Sequence, residues 1–138
     1  MPLLQFDTTL ELPPAQQTEF ADTVRELYSE IMQTGTSHAA VVIRERSQAE
    51  LSLGRETDGD LLVLDADVRE GRSADRKRTF ARAVMDLAAD EFDVPTPNMK
   101  VVFTEHEGPS MMGYDRVGSD WSPEEGEAGD AADASDAE

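Results

Sequence analysis

Leu61-Leu62-Val63-Leu64-Asp65-Ala66-Asp67-Val68, followed by Arg69-Glu70-Gly71-Arg72-Ser73, is the stretch on which the fold turns. Its first eight residues open on the apolar run Leu61 to Leu64 and have the length of a strand. Gly71 then marks a turn, and Ser73 stands where a helix N-cap belongs. Downstream, Phe80, Val84, Leu87 and Phe92 recur at helical spacing and stop before Pro95 and Pro97. Met99 to Glu105 is a second strand, so residues 61–106 read as strand, helix, strand.

The same unit occurs upstream. Shifted by 60 residues, Leu4 falls on Leu64, Asp7 on Asp67, Phe20-Ala21 on Phe80-Ala81 and Val24 on Val84; Leu27, Thr36, Val41-Val42 and Glu45 also coincide with their counterparts. Coincidence at one offset without a gap is the signature of an internal repeat. In residues 1–46, Leu4, Phe6 and Thr8 form one face of a short strand. Pro13-Pro14 opens a helix striped by Phe20, Val24, Leu27, Ile31 and Met32, Gly35 closes it, and Ala39 to Ile43 returns as a strand. The linker from Ser47 to Asp60, with Gly54 and Asp58-Gly59, suggests a hairpin-like excursion.

Strand–helix–strand units of this length favour parallel strands joined by a right-handed crossover. The expected fold is therefore α/β (α+β): a four-stranded sheet with two helices on one face. Val41-Val42, Leu61 to Leu64 and Val101 to Phe103 read as apolar on both faces. Helices cover one face only, so another chain is expected on the other, making a symmetric oligomer.

The chain has 138 residues and carries 30 acidic against 12 basic side chains, a formal charge of −18. Such a surface repels nucleic acid and anionic lipid. No apolar run approaches the length of a membrane span, and the amino terminus lacks a secretory pattern. A cytoplasmic location is expected. The absence of cysteine removes disulfides, thiolate catalysis and sulfur-based zinc sites. Only two of the basic residues are Lys, and with acids spread over the whole chain the composition fits a halophilic, salt-accumulating cytosol; an acidic mesophilic protein is the alternative. From Gly118 onwards there are 8 acids and no bases, and residues 122–138 are expected to form a disordered acidic tail behind a domain spanning 1–121.

Pro2 and the pair Arg69 and Arg72 are the residues that point to chemistry. If Met1 is removed, Pro2 becomes a secondary amine that burial or a nearby cation brings towards neutral pH as a base; otherwise it merely limits fraying of the first strand. Arg69 and Arg72 flank a helix N-terminus, where guanidinium forks and free amides suit a carboxylate; pairing to surface acids is the alternative. His38 and His106 have no metal-ligand spacing and read as surface residues. Met111-Met112-Gly113-Tyr114 either packs on a neighbouring subunit or walls the pocket.

Taken together, Met1-Pro2-Leu3-Leu4, Val68 to Lys77 and Val101 to Glu105 resemble the tautomerase superfamily of amino-terminal-proline enzymes, most closely its cis-3-chloroacrylic acid dehalogenase group. The resemblance covers roughly residues 2 to 121. It implies a duplicated β-α-β fold, a homotrimer with sites near subunit interfaces, and no metal or organic cofactor. It assigns Pro2 as the catalytic base, Arg69 and Arg72 as the carboxylate pair, and Lys100 as a further substrate cation. The dehalogenases' water-activating carboxylate, tyrosine and histidine fall on Gly113, Val102 and Glu30, which cannot replace them, although Tyr114 and Tyr28 stand nearby. Leu12 replaces the arginine in the first unit and Leu62 replaces the proline in the second, leaving one site per chain at most. The implied activity is enol–keto proton transfer on a small carboxylated substrate. A hydratase, dehalogenase or decarboxylase, or a non-catalytic trimeric binding protein, is the alternative.

Overall fold

The computed structural model describes residues 2–35 and 38–125. The chain runs β1 (Leu3–Thr8), α1 (Pro14–Met32), β2 (Ala40–Glu45), β3 (Leu62–Arg69), α2 (Ala74–Phe92) and β4 (Met99–His106). The strands form one sheet in the order β2-β1-β3-β4. Within each unit the strands are parallel, with Leu3 beside Ala40 and Leu62 beside Met99. The units join through antiparallel β1 and β3, which set Leu3 opposite Asp67.

The repeat is visible in the core. Leu4 and Leu64, Phe20 and Phe80, and Val24 and Val84 occupy equivalent buried places between sheet and helices. Phe6 meets Phe20 edge-on at 5.0 Å, and Tyr28 meets Phe80 at 5.1 Å, a geometry aromatic pairs favour. Both helices therefore bury their stripes on one face of the sheet.

Local chemistry explains the helix ends. Pro at the first turn starts α1, and the Ser73 hydroxyl caps α2 by accepting from the Arg76 amide at 3.1 Å. The expected stop at Gly35 is replaced by Gln33, which takes the left-handed conformation (φ 56°) and bonds its amide to the Ser29 carbonyl. Asp93 plays the same part for α2.

Two expectations are corrected. The linker from Ser47 to Asp60 forms turns rather than a hairpin, with no strand ladder among its described residues. Asn98 holds it instead: its fully buried side chain accepts from the Thr57 amide and donates to the Thr57 and Asp60 carbonyls. The uncovered sheet face is not uniformly apolar either. Strand alternation places Val41, Ile43, Val101 and Phe103 towards the helices. Leu3, Val42, Val63 and Val102 share the outer face with Gln5, Asp7, Arg44, Asp65, Asp67 and Lys100. There Arg44 grips both oxygens of Asp7, at 3.1 and 3.2 Å. No described helix is long and apolar enough to cross a membrane.

After β4 the chain folds back over the end of the sheet where β1 begins and β3 ends. The Gly118 amide bonds to the Met111 carbonyl and the Trp121 amide to the Glu70 carbonyl. A β-carbon on Gly108 would lie 2.0 Å from the Ser119 carbonyl carbon, so this crossing requires glycine.

Candidate active site

Pro2 is buried at the start of β1, with its carbonyl accepting from the Ala40 amide at 2.9 Å. Continuing the β1–β3 register by one pair sets Pro2 opposite Val68, next to Arg69. Beside it opens a cavity of about 470 Å³ whose walls include Pro2, His38, Asp67, His106, Met111 and Met112. His106 Nε2 lies 2.7 Å from Asp67 Oδ1. The histidines expected on the surface thus both face the Pro2 cavity, and the methionine pair is part of its wall.

Arg69, the last residue of β3, and Arg72, just before α2, sit together at the same end of the sheet, outside the residues that line that cavity. Arg69 is 2% exposed; its Nη1 donates to the Ser119 carbonyl at 2.7 Å and its Nη2 pairs with the Glu125 carboxylate. Arg72 is 5% exposed, its Nε donating to the Met32 carbonyl at 2.8 Å. Its guanidinium lies 5.0 Å from the Trp121 ring and 5.5 Å from the Tyr28 ring. Neither Nη1 nor Nη2 of Arg72 has a hydrogen-bond partner among the described residues. A buried cationic fork in that condition is costly to the fold, and placing an anion against it relieves the cost.

The end of α1 shapes this cluster. The Ile31, Met32 and Gln33 carbonyls, unpaired at a helix C-terminus, accept from Arg76, Arg72 and the Trp121 indole respectively. Thr34 follows, its hydroxyl directed at the Glu125 carboxylate. Burial raises that carboxyl, but hydrogen bonds from Arg69 and Thr34 and the charges of both arginines outweigh it and hold it below its usual value. Burial pushes the Tyr28 hydroxyl up to about 12, against the opposing pull of Arg72 and Arg69, so it is a neutral phenol. Burial likewise lowers the Arg72 guanidinium from its ordinary value.

The structure thus brings Pro2, Arg69 and Arg72 to one end of the sheet, with the arginines outside the cavity lining. Lys100 does not join them within a chain. It pairs with Val63 near the other end of β4, six residues from His106, about 20 Å along a strand. Tyr28 lies in the arginine cluster, whereas Glu30 is exposed and Tyr114 fully so. The beginning of the expected solvated tail is also different: Glu125 is anchored on Arg69. The rest of that tail, residues 126–138, lies outside the described residues. Nothing local marks Glu125, because its partner is 56 residues away.

Residues 63–118 match the family model described as "Tautomerase enzyme". No curated protein matches the chain. Among solved structures, N1, a member of the cis-3-chloroacrylic acid dehalogenase family, superposes with a TM-score of 0.78 at 19% identity, over 91% of this chain and 88% of that one. A fused 4-OT symmetric trimer gives 0.73 at 14% identity, covering 85% and 95%. A macrophage migration inhibitory factor-like protein from Entamoeba histolytica gives 0.71 at 16%, covering 85% and 97%. The family match spans the second β-α-β unit, and the β-α-β fold shared with these structures spans both units.

Proposed function

We propose that the chain is a tautomerase that moves a proton between oxygen and carbon of a small carboxylated enol, with Pro2 as base and Arg69 and Arg72 as carboxylate receptor. The observation that carries this reading is the Arg72 fork, buried and unpartnered beside an arginine that already holds a carboxylate. Removal of Met1 converts the Pro2 nitrogen into a secondary amine, ordinarily of pKa about 8. Burial at the start of β1 favours its neutral form. It takes the enol O–H proton, the electron pair moves through the conjugated system, and the same proton is returned to a carbon, giving the ketone. The arginines stabilise the dienolate charge between those steps. This chemistry calls for no metal or organic cofactor.

A homotrimer is part of the proposal. A fused 4-OT of the same fold is a symmetric trimer, and Lys100 reaches a site only from another copy of the chain. A cytoplasmic, salt-rich setting is consistent with the acid-rich composition. A hydratase is favoured by one observation, the Asp67–His106 pair in the Pro2 cavity, which suits water activation.

The test is ketonisation of phenylenolpyruvate and of 2-hydroxymuconate in molar salt, with the amino terminus checked by intact mass. Loss of Met1, with catalysis that falls at least a hundredfold in Pro2→Ala, supports the proposal. Full retention of Met1 in an active protein sinks the proline mechanism.

A further inference from the structure

Glu125 stands where a substrate carboxylate would be received. Its side chain is 16% exposed, pairs with the buried Arg69, and accepts from the Thr34 hydroxyl. Arg72 contributes its charge to that carboxylate without hydrogen-bonding it. One residue of the chain therefore satisfies Arg69 and Thr34 but leaves the Arg72 fork unfilled. A ligand made to fit would engage all three.

We propose that Arg69, Arg72 and Thr34 together form the carboxylate receptor, and that Glu125 is its internal occupant, which a substrate must displace. This rests on the reading of the arginines as a receptor given above. The segment carrying Glu125 is hinged for such a role. Trp121 is fixed through its indole to Gln33 and its amide to Glu70, while Ser122, Pro123 and Glu124 are exposed. Release of Glu125 thus breaks the contacts to Arg69 and Thr34 and leaves the Trp121 anchor in place. Occupancy by a tethered group lowers apparent affinity by the fraction of molecules left open. A strap closed in most molecules weakens carboxylate binding about tenfold.

Trp121 is the single tryptophan of the chain and lies on Arg72, so its fluorescence reports receptor filling directly. The probe is muconate, a dicarboxylate with no enol proton to transfer, titrated into the full-length protein in molar salt. Glu125→Gln and Glu125→Ala should each bind it about tenfold more tightly than the unaltered chain, while Glu124→Gln should not. Adding Thr34→Val to Glu125→Gln should take most of that gain away. Unchanged or weaker binding in both Glu125 variants overturns the occupant, and indifference to Thr34→Val removes Thr34 from the receptor. Arg72→Gln separates the two levels. Binding that ignores Arg72, or no binding by any variant, defeats the receptor reading itself. Binding lost with Arg72 but indifferent to Glu125 defeats only the strap.

Discussion

Replacing Arg72 by Met should make the protein more stable and less able to bind its substrate. Met follows the arginine's unbranched stem between Tyr28 and Trp121 without bringing a charge into the core. The substitution removes two buried, unpaired nitrogens, each worth about 1–3 kcal/mol of desolvation penalty. Against that stand the Nε bond to Met32, about 1 kcal/mol, and two ring contacts of about 1 kcal/mol each, together with attraction to Glu125. At the upper half of the penalty range the balance favours Met by about 1 kcal/mol, or roughly 3 °C in Tm for a chain of this length. On the proposed role of Arg72, losing its two charge-assisted bonds to substrate should raise KM on the order of a hundredfold. The assay pairs thermal melts at one fixed protein concentration, since association raises Tm, with ketonisation kinetics. A melt lowered by more than about 5 °C, or an unchanged KM, refutes the reasoning. The first would make Arg72 a structural residue, and the second would take it out of the site.

Asn98→Ala leaves the Thr57 amide and the Thr57 and Asp60 carbonyls without their buried partner, and should cost about 2–3 kcal/mol in denaturant unfolding. A loss under about 0.5 kcal/mol would show that the linker does not depend on it. Because the folded Glu125 carboxyl lies below its unfolded value, its contribution is complete above the usual carboxylate range and disappears as pH falls through the depressed value. It faces Arg69, Arg72, Thr34 and neutral Tyr28, so Trp121 fluorescence should change there in the unaltered chain and not in Glu125→Gln. Identical acid profiles would contradict this.

The fold was legible because the repeat places matched side chains in matched environments, and because Pro14 and Ser73 act locally on helix starts. The Asp58-Gly59 signal for a hairpin misled for a physical reason. Gly59 does turn, at φ 131°, but it turns against Pro95 and not between two strands. The outer sheet face departs from the apolar expectation because adjacent valines in an apolar run divide between faces, Val41 inward and Val42 outward, beside Gln5 and Asp7 of β1. Of the candidate site, Pro2, Arg69 and Arg72 were legible because residue type and position alone suggest their proposed chemistry. Asp67, His106, Thr34 and Glu125 acquire theirs only where the chain crosses the sheet end, which no local spacing encodes.

The proton-transfer role proposed for Pro2 is tested most directly by 2-hydroxymuconate ketonisation in deuterated water, comparing the mass-verified mature protein with Pro2→Ala. The account predicts catalysed ketonisation that Pro2→Ala reduces at least a hundredfold. Equal rates from the two proteins, or no catalysis by either, would contradict it.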